Sequence, residues 1–329
     1  MSLVDSFGKV HTALRLSVTD RCNIRCFYCM PSEHVEFLPR PEVLTFEELT
    51  RVTKVFCQLG INKVRLTGGE PLVRKDLPEL IRQISALDGI DEIAMTTNAI
   101  LLERHAVDLK AAGLDRINVS LDTLDREQFE SITRRDSLDD ALKGIEAAQQ
   151  AGFENIRLNA VAVKGLIEPQ IVPLVKFAVQ QRLALRFIEF MPLNSTGRWS
   201  DDEVLTGTKI RELIQEQFGE LIPIDRPDPS QPATDFGFQS GLGTVGFINS
   251  VSQPFCGDCN RVRLTADGKI RNCLFSHAEW DMRDLLRSGS TDDELIQLIK
   301  ECVANKKAAH GIGTQEFQKP ERAMYQIGG

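Results

Sequence analysis

Predicted strands and helices alternate over the first two-thirds of the chain, and this alternation constrains the fold more than any other feature. Apolar, β-branched runs with period-two alternation indicate strands, and helical periodicity lies between them. The predicted strands span residues 13–19, 63–67, 92–98, 116–122, 155–163 and 184–191. Repeated strand–helix units form a parallel sheet with right-handed crossovers. Because these six strands fall short of the eight of a complete barrel, we predict an α/β fold, an incomplete six-stranded (βα)6 TIM-like barrel; a doubly wound open sheet is the alternative.

Start and stop signals support the helices of this repeat. Thr45 and Glu48 form a capping box that opens a helix, and Gly60 suits the position after its end. Further helices are predicted over residues 77–87, 102–112, 138–151 and 168–181. Glycines in the C-cap position follow three of them, and these are Gly89, Gly113 and Gly152.

The alternation ends near Pro192. Residues 209–218 have a helical pattern, and residues 223–246 are rich in Pro, Gly, Asp and Ser, which predicts a linker or long surface loop. A strand over 245–250, a hairpin that turns at Asp267-Gly268 and a capped helix from Thr291 follow. We therefore predict two parts, a barrel of residues 1–222 and a C-terminal α+β region of residues 223–329.

Polar residues occupy one face of five predicted strands. Arg15, Arg65 and Arg157 lie on this face of the first, second and fifth strands, and Thr96 and Asn118 lie on it in the third and fourth. A packed barrel interior is normally filled by branched apolar side chains, and helices cover the faces of a parallel sheet. We therefore favour a polar lumen that holds a charged ligand over a solvated outer face.

Charge and hydropathy exclude some classes of function. The 329 residues contain 39 Lys and Arg against 47 Asp and Glu, a formal net charge of −8. This balance argues against DNA or RNA as the main partner, because a phosphate backbone needs a basic footprint. We find neither a run of apolar residues long enough to span a membrane nor a secretory-signal pattern, so the expected location is the cytoplasm.

Six of the eight cysteines form two triplets, Cys22-x3-Cys26-x2-Cys29 and Cys256-x2-Cys259-x13-Cys273. Clustered cysteines without a signal peptide indicate metal ligands rather than disulfides. Structural zinc takes four ligands, so a zinc knuckle completed by His277 is an alternative for the second triplet. A four-iron cluster held by three thiolates leaves one iron open to another ligand. The isolated Cys57 and Cys302 are predicted to pack as small apolar side chains.

The segment Cys22-x3-Cys26-Phe27-Tyr28-Cys29 resembles the signature of the radical S-adenosylmethionine (SAM) superfamily. Thr67-Gly68-Gly69-Glu70-Pro71, at the end of the second predicted strand, resembles that superfamily's "GGE" segment. The resemblance implies that the first triplet holds a 4Fe-4S cluster whose open iron binds SAM. It also implies that SAM contacts four positions, namely Tyr28, Gly69, Ser120 and Met191.

Three further features narrow the resemblance to the GTP 3′,8-cyclase family of molybdenum cofactor biosynthesis. They are the run from Leu14 to Asn23, the second triplet and the closing Gly328-Gly329. The resemblance implies a second 4Fe-4S cluster, on Cys256, Cys259 and Cys273, and conversion of GTP to 3′,8-cyclo-7,8-dihydroguanosine 5′-triphosphate. GTP is expected to contact Arg15, Arg65, Thr96, Arg157, Arg261, Val262 and Arg263.

No catalytic side chain is assigned beyond the two clusters and the Gly328-Gly329 tail, which we expect to enter the barrel mouth. The family also implies an external electron donor of the flavodoxin or ferredoxin type, a homodimer, and transfer of the product to the next pathway enzyme. Two positions depart from the family pattern. Arg157 replaces a common Lys, and Ala99 replaces a usual Gly.

Two alternative functions remain at this point. A radical SAM peptide-modifying enzyme with an auxiliary cluster usually has more C-terminal cysteines, and it has no need of so many phosphate-matched arginines. A non-catalytic electron carrier needs only clusters near a surface, and it leaves the GGE segment and the polar lumen unexplained.

Overall fold

The strands of the computed structural model form one large sheet and one small hairpin. The structure describes residues 2–30, 35–193, 199–226 and 228–328. The strands are β1 (Leu3–Val4), β2 (Val10–His11), β3 (Ala13–Ser17), β4 (Lys63–Thr67), β5 (Glu92–Thr97), β6 (Arg116–Ser120), β7 (Arg157–Ala162), β8 (Ala184–Glu189), β9 (Leu221–Pro223), β10 (Thr234–Phe238), β11 (Thr244–Ile248), β12 (Arg261–Leu264), β13 (Lys269–Arg271) and β14 (Trp280–Asp281). β1 and β2 pair with each other, and the other strands form a 12-stranded sheet in the order β14-β13-β12-β3-β4-β5-β6-β7-β8-β11-β10-β9.

Six parallel strands, β3 to β8, lie side by side in chain order. This confirms the six-stranded parallel part and excludes the doubly wound alternative, because a doubly wound sheet reverses its strand order at a switch point. β12 pairs in parallel with β3, and β11 pairs in parallel with β8. C-terminal strands therefore extend both edges of the barrel sheet. Among the described residues β9 and β14 do not pair, so the barrel is open.

Helices cover the outer face of this sheet. They are α1 (Phe46–Gln58), α2 (Leu77–Ser85), α3 (Ala106–Ala111), α4 (Arg126–Thr133), α5 (Leu138–Gln150), α6 (Glu168–Gln180), α7 (Gly207–Phe218), α8 (Met282–Arg287), α9 (Asp292–Ala304) and α10 (Met324–Ile327). Short 3-10 turns lie at Arg40–Glu42, Pro71–Val73, Leu102–Arg104, Asp201–Glu203 and Cys256–Asp258. The described residues contain no helix that is both long and apolar enough to cross a membrane.

The helix signals that the sequence predicted are present. The Glu48 N–H donates to Thr45 Oγ1 at 3.2 Å, and the Thr45 N–H donates to the Glu48 carboxylate at 2.7 Å. The four predicted C-cap glycines all have positive φ, 90° at Gly60, 91° at Gly89, 99° at Gly113 and 84° at Gly152. Because glycine lacks a Cβ, it adopts this conformation without steric cost.

Ala99 has a φ of 64°, in the left-handed region where glycine is favoured. A left-handed conformation costs an L-residue about 1–2 kcal/mol. The methyl group is fully buried in the apolar core, however, and packing there offsets part of this cost. The turn after β5 therefore has the conformation expected of the family's glycine, although the residue is alanine.

The prediction of a linker over residues 223–246 is wrong in part. β10 and the start of β11 lie within this range and pair antiparallel, and β10 also pairs with β9. Phe236 and Phe238 alternate with Asp235 and Gly237 along β10, and both phenylalanines are buried. The surrounding Pro, Gly and Asp residues concealed this short alternation in the sequence. α4 was not predicted either; Asp125 caps it by accepting the Gln128 N–H at 2.8 Å.

The two faces of the barrel strands separate apolar from polar residues. Leu14, Leu16, Val64 and Leu66 are at most 1% exposed and belong to the apolar core. Arg15 and Arg65, which alternate with these apolar residues along β3 and β4, face a cavity of about 510 Å³. This arrangement confirms the polar lumen. The boundary at residue 222 stays a prediction.

Candidate active site

Both cysteine triplets open into the same cavity. Cys22, Cys26 and Cys29 lie at the end of β3, whereas Cys256, Cys259 and Cys273 flank β12 and β13. All eight cysteines of the chain are free thiols. The cavity is also lined by most of the residues that the resemblance assigned to SAM and GTP, namely Tyr28, Gly69, Ser120, Met191, Arg15, Arg65, Thr96, Arg157, Arg261 and Arg263.

Val262 is the exception among the predicted GTP contacts. It is 0% exposed and belongs to the apolar core, because it points to the opposite face of β12 from Arg261 and Arg263. Only its backbone is placed to reach a ligand in the lumen.

The loop of the first triplet is attached to the end of α4. The Arg25 N–H donates to the Thr133 carbonyl at 2.8 Å, and the Phe27 N–H donates to the Ile132 carbonyl at 3.1 Å. Burial, with a smaller contribution from neighbouring negative groups, raises the pKa of Cys22 to about 11 and that of Cys29 to about 12. Three such thiols ionise together only when a positive centre binds them. An iron–sulfur cluster therefore fits this donor set.

The GGE segment contacts the backbone of the cysteine loop directly. The Gly69 N–H donates to the Thr19 carbonyl, and the Glu70 N–H donates to the Arg21 carbonyl, both at 2.8 Å. A Cβ added at Gly68 would lie 2.3 Å from the Thr19 carbonyl oxygen, and one at Gly69 equally close to that of Arg21. The two glycines are thus needed for backbone-to-backbone packing, in addition to any contact with a ligand.

The Glu70 carboxylate joins the ends of β4 and β5. It accepts the Asn98 N–H and the Thr97 hydroxyl at 2.8 Å, and the Leu72 N–H at 3.0 Å. Burial raises the pKa of Glu70 to about 7. Asn98 in turn donates to the side chain of Asn23 at 2.8 Å, which connects β5 to the first triplet's loop.

Asp122 is a site residue that the sequence did not single out. The Tyr28 hydroxyl donates to Asp122 Oδ2 at 2.6 Å, and the Val161 N–H donates to Oδ1 at 2.8 Å. Burial raises the pKa of Asp122 to about 6. Tyr28, which the resemblance assigns to SAM, is therefore held in place from β7 by way of Asp122. Asp122 follows Ser120 by two residues on the same face of the predicted strand, and this spacing was the available sequence signal.

Three arginines in the lumen have no acidic partner. In register across three strands, Arg15 lies between Arg65 on β4 and Arg263 on β12. No ion pair within the described residues involves Arg15, Arg65 or Arg157. Burial, and then the nearby Arg116, lowers the pKa of Arg65 to about 9. Such a group of buried guanidinium ions is stabilised by a polyanion, whose oxygens arginine binds bidentately.

Other cations line the cavity but are already paired. Lys63 contacts Asp228 at 2.9 Å, Arg186 contacts Asp235 at 2.7 Å, and Arg116 pairs with Glu92. None of these three cations was predicted from the sequence as a site residue. Lys63 lies two residues from Arg65, and Arg116 two from Asn118, so strand alternation was a usable signal.

Cations surround Cys259 in the second triplet. The Arg261 Nε and Nη2 both lie 3.4 Å from Cys259 Sγ, and Lys306 Nζ lies 3.7 Å from it. Burial opposes ionisation of this thiol, yet the two cations outweigh burial and lower its pKa to about 6. A thiolate that is ready to bind metal fits an iron–sulfur cluster.

The geometry does not support zinc with His277 at the second triplet. His277 is exposed, and its Nε2 lies 3.2 Å from the Gln318 carbonyl.

The C-terminal segment enters the lumen. The Gly328 carbonyl accepts a hydrogen bond from Arg263 Nη1 at 2.6 Å. A Cβ at Gly328 would lie 2.7 Å from Thr67 Oγ1 and 3.0 Å from Ser17 Cβ, and the residue has a φ of 89°. Only glycine fits there. Gly329 lies outside the described residues.

Comparison with known proteins gives the family. The family description "Radical SAM superfamily" matches residues 16–178, and "Molybdenum Cofactor Synthesis C" matches residues 183–312. A GTP 3′,8-cyclase of Rhodopirellula baltica is 53% identical, covering 100% of this chain and 92% of the relative. The chain belongs to the GTP 3′,8-cyclase family. Further cyclases are 45% identical in Corynebacterium glutamicum (99% of this chain, 89% of the relative) and 42% in Pelotomaculum thermopropionicum (99% of each).

Solved structures share the fold. The structure of anSMEcpe with bound AdoMet has a TM-score of 0.62 at 15% identity, and covers 95% of this chain and 93% of that chain. Streptococcus suis SuiB bound to S-adenosylmethionine has a TM-score of 0.55 at 16% identity, and covers 95% of this chain and 75% of that chain. These neighbours show the fold; the match to the radical SAM superfamily over residues 16–178 and the cyclase relatives show that the family is one of radical SAM enzymes, which use SAM and iron–sulfur clusters.

Proposed function

We propose that this enzyme converts GTP to 3′,8-cyclo-7,8-dihydroguanosine 5′-triphosphate, the first step of molybdenum cofactor biosynthesis. The observation that carries the proposal is that Arg15, Arg65 and Arg157, which have no ion pair among the described residues, line one cavity together with both cysteine triplets. Arg15, Arg65 and Arg157 bind the triphosphate, whose charge replaces the missing carboxylates. An acidic chain needs such a local basic site to hold a nucleotide.

Each cysteine triplet has a separate role in this proposal. Cys22, Cys26 and Cys29 would hold a 4Fe-4S cluster, and Tyr28, Gly69, Ser120 and Met191 would contact SAM beside it. Cys256, Cys259 and Cys273 would hold a second 4Fe-4S cluster, which would bind the guanine base. When bound, SAM and the first cluster supply a 5′-deoxyadenosyl radical that takes the 3′ hydrogen of the ribose.

The protein's own contribution is positioning. Arg15, Arg65 and Arg157 fix the triphosphate end of GTP, and Thr96 and Arg263 contact the rest of the nucleotide. The segment ending at Gly328 reduces the open volume beside the substrate, because its carbonyl is held by Arg263. Holding the ribose close to the radical source removes much of the entropic barrier and keeps water away.

Further parts of the proposal extend the family assignment. An external flavodoxin- or ferredoxin-type donor supplies the electrons, the enzyme works as a homodimer, and its product passes to the next pathway enzyme. A cytoplasmic location suits a chain whose cysteines must stay reduced. The 1–222 and 223–329 parts act together, since their strands share one sheet. Structural neighbours at 15–16% identity share only the fold, so a peptide-modifying function gains no support from them.

Cleavage of SAM that depends on GTP tests this function. Anaerobically reconstituted, reduced protein is incubated with SAM and GTP, and 5′-deoxyadenosine and the nucleotide product are measured by mass. The proposal expects about eight irons per chain, as two four-iron clusters, and SAM cleavage that rises strongly with GTP. Replacing the first triplet with Ala should abolish SAM cleavage, whereas replacing the second should abolish cyclisation but keep the first cluster. SAM cleavage with peptides but not GTP would contradict the proposal.

A further inference from the structure

A buried amine borders the second cysteine triplet and has no part in the function described so far. Lys306 follows the C-terminal end of α9 and is only 6% exposed. Its Nζ donates to the carbonyl oxygens of Cys259 and Arg261, both at 3.2 Å. It also lies 3.7 Å from Cys259 Sγ. The ammonium group therefore faces the Cys259 sulfur directly, and the backbone carbonyls of Cys259 and Arg261 hold it in place.

The negative groups that face Lys306 directly are thiols. Its titratable neighbours include the thiols of Cys259, Cys273 and Cys302, the imidazole of His11, and the cations Arg261 and Lys9, of which Lys9 is paired with Asp5. No ion pair in the described part of the chain joins Lys306 to a carboxylate. A buried charge is costly unless an opposite charge compensates for it. Thiolates of the second triplet are the opposite charges within reach.

Lys306 differs from Arg261 in how its charge is held. Arg261 lines the cavity, so a bound ligand can attract its guanidinium group away from Cys259. The Lys306 ammonium is fixed by two backbone carbonyls, so its position does not depend on substrate. The second triplet therefore has two cations beside it. The position of Lys306 is constant, whereas Arg261 can move toward a bound substrate.

We propose that Lys306 acts as a fixed positive charge that raises the reduction potential of the second cluster. The inference rests on the proposed function in one respect, that Cys256, Cys259 and Cys273 hold a 4Fe-4S cluster. A four-iron core with three thiolates is an anion, and one-electron reduction adds a further negative charge. A nearby positive charge therefore stabilises the reduced form more than the oxidised form.

Substitutions at Lys306 separate its charge from its hydrogen bonds. Lys306→Gln keeps an N–H donor but has no charge, Lys306→Met has neither, and Lys306→Arg keeps both. Lys307→Met, at the exposed neighbouring position, is the matched control. Full-length protein with both clusters is titrated anaerobically with dithionite and mediators, and reduction is followed by electron paramagnetic resonance. The signal of the second cluster is identified as the one that survives in protein whose Cys22, Cys26 and Cys29 are replaced by Ala.

We expect both neutral variants to lower the reduced-to-oxidised ratio at least tenfold at a fixed potential. This corresponds to a downward shift of about 59 mV for a one-electron couple. A unit charge a few ångströms away in a medium with an effective dielectric constant of about 20 is sufficient for this effect. Lys306→Arg and Lys307→Met should retain the potential of the unchanged protein.

Each other outcome has a defined meaning. An unchanged potential in Lys306→Gln with full cluster content overturns the proposal. Loss of the second cluster in both neutral variants but not in Lys306→Arg overturns it in favour of a charge that is needed for cluster binding. Loss in all three variants overturns it in favour of a purely structural contact. If the unchanged protein holds no second cluster, the iron content reveals it, and the proposed function fails instead.

Discussion

Replacing Arg65 with Met should weaken GTP binding and, at the same time, stabilise the protein without GTP. Arg65 lies in the cavity beside Arg15 and has no acidic partner among the described residues. Loss of a charge-assisted contact to phosphate costs about 1.5–3 kcal/mol. GTP affinity should therefore fall roughly tenfold to a hundredfold.

The stability gain follows from the pKa of the same guanidinium group. Burial, and then the nearby Arg116, lowers the pKa of Arg65 from 12.5 to about 9. At neutral pH the folded protein therefore holds a cation in a place that disfavours charge. Because partial exposure to the cavity screens that charge, we expect Met to recover only about 1–3 kcal/mol, a rise in Tm of a few degrees. The cation's destabilising effect should begin to decrease as the pH rises above about 9 and should disappear only as the pH approaches 12.5, the pKa of the unfolded chain.

Calorimetric titration with GTP at fixed ionic strength and thermal unfolding followed by circular dichroism measure the two effects. Arg82→Met is the control, because Arg82 is exposed on α2 and pairs with Glu79 away from the cavity. It should change neither GTP affinity nor the GTP-free Tm by a comparable amount. An Arg65→Met protein with unchanged GTP affinity and a lowered Tm would refute the reasoning.

Three other perturbations have distinct expected results. Deletion of residues 328–329 should abolish turnover while both clusters and GTP affinity stay within about threefold, because the tail positions reactants rather than binding them; full turnover would show an ordinary frayed end. Burial raises the pKa of Asp122 from 3.8 to about 6, so its contribution to stability is lost as the pH rises through that range. The stability of Asp122→Asn relative to the unchanged protein, measured by denaturant unfolding, should therefore rise between these pH values, and a flat difference would contradict the assignment. Ala99→Gly should change the free energy of unfolding by no more than about 1 kcal/mol. Relief of the left-handed strain is offset because a buried methyl group is lost and the unfolded chain becomes more flexible. A loss of stability above about 2 kcal/mol in the same assay would contradict this explanation.

Local patterns made the barrel strands and helix ends predictable. Alternation along β3 to β8 and the caps at Thr45 and Gly60 depend on neighbouring residues, so the sequence contains them directly. β10 was missed because its alternation is short and surrounded by turn-forming residues. Pairing with β11 stabilises β10, and local periodicity in the sequence does not show which strands pair.

The candidate site was predictable to a different extent for each kind of residue. The cysteine triplets have characteristic spacings, and the arginines follow strand alternation. The spacing from Ser120 places Asp122 on the polar strand face, but its contact with Tyr28, like that of Lys306 with Cys259, joins residues distant in the chain and is visible only in the structure. Lys63 lines the cavity with Arg65, but only the structure shows that Asp228 already neutralises it.

Transfer of deuterium from the ribose of GTP tests the central claim most directly. GTP labelled with deuterium at C3′ is incubated anaerobically with reduced protein and SAM for a single turnover, and the 5′-deoxyadenosine is analysed by mass spectrometry. The proposed function predicts 5′-deoxyadenosine that contains one deuterium, together with a cyclised nucleotide of the expected mass. Unlabelled 5′-deoxyadenosine formed at the same rate with and without GTP would contradict it.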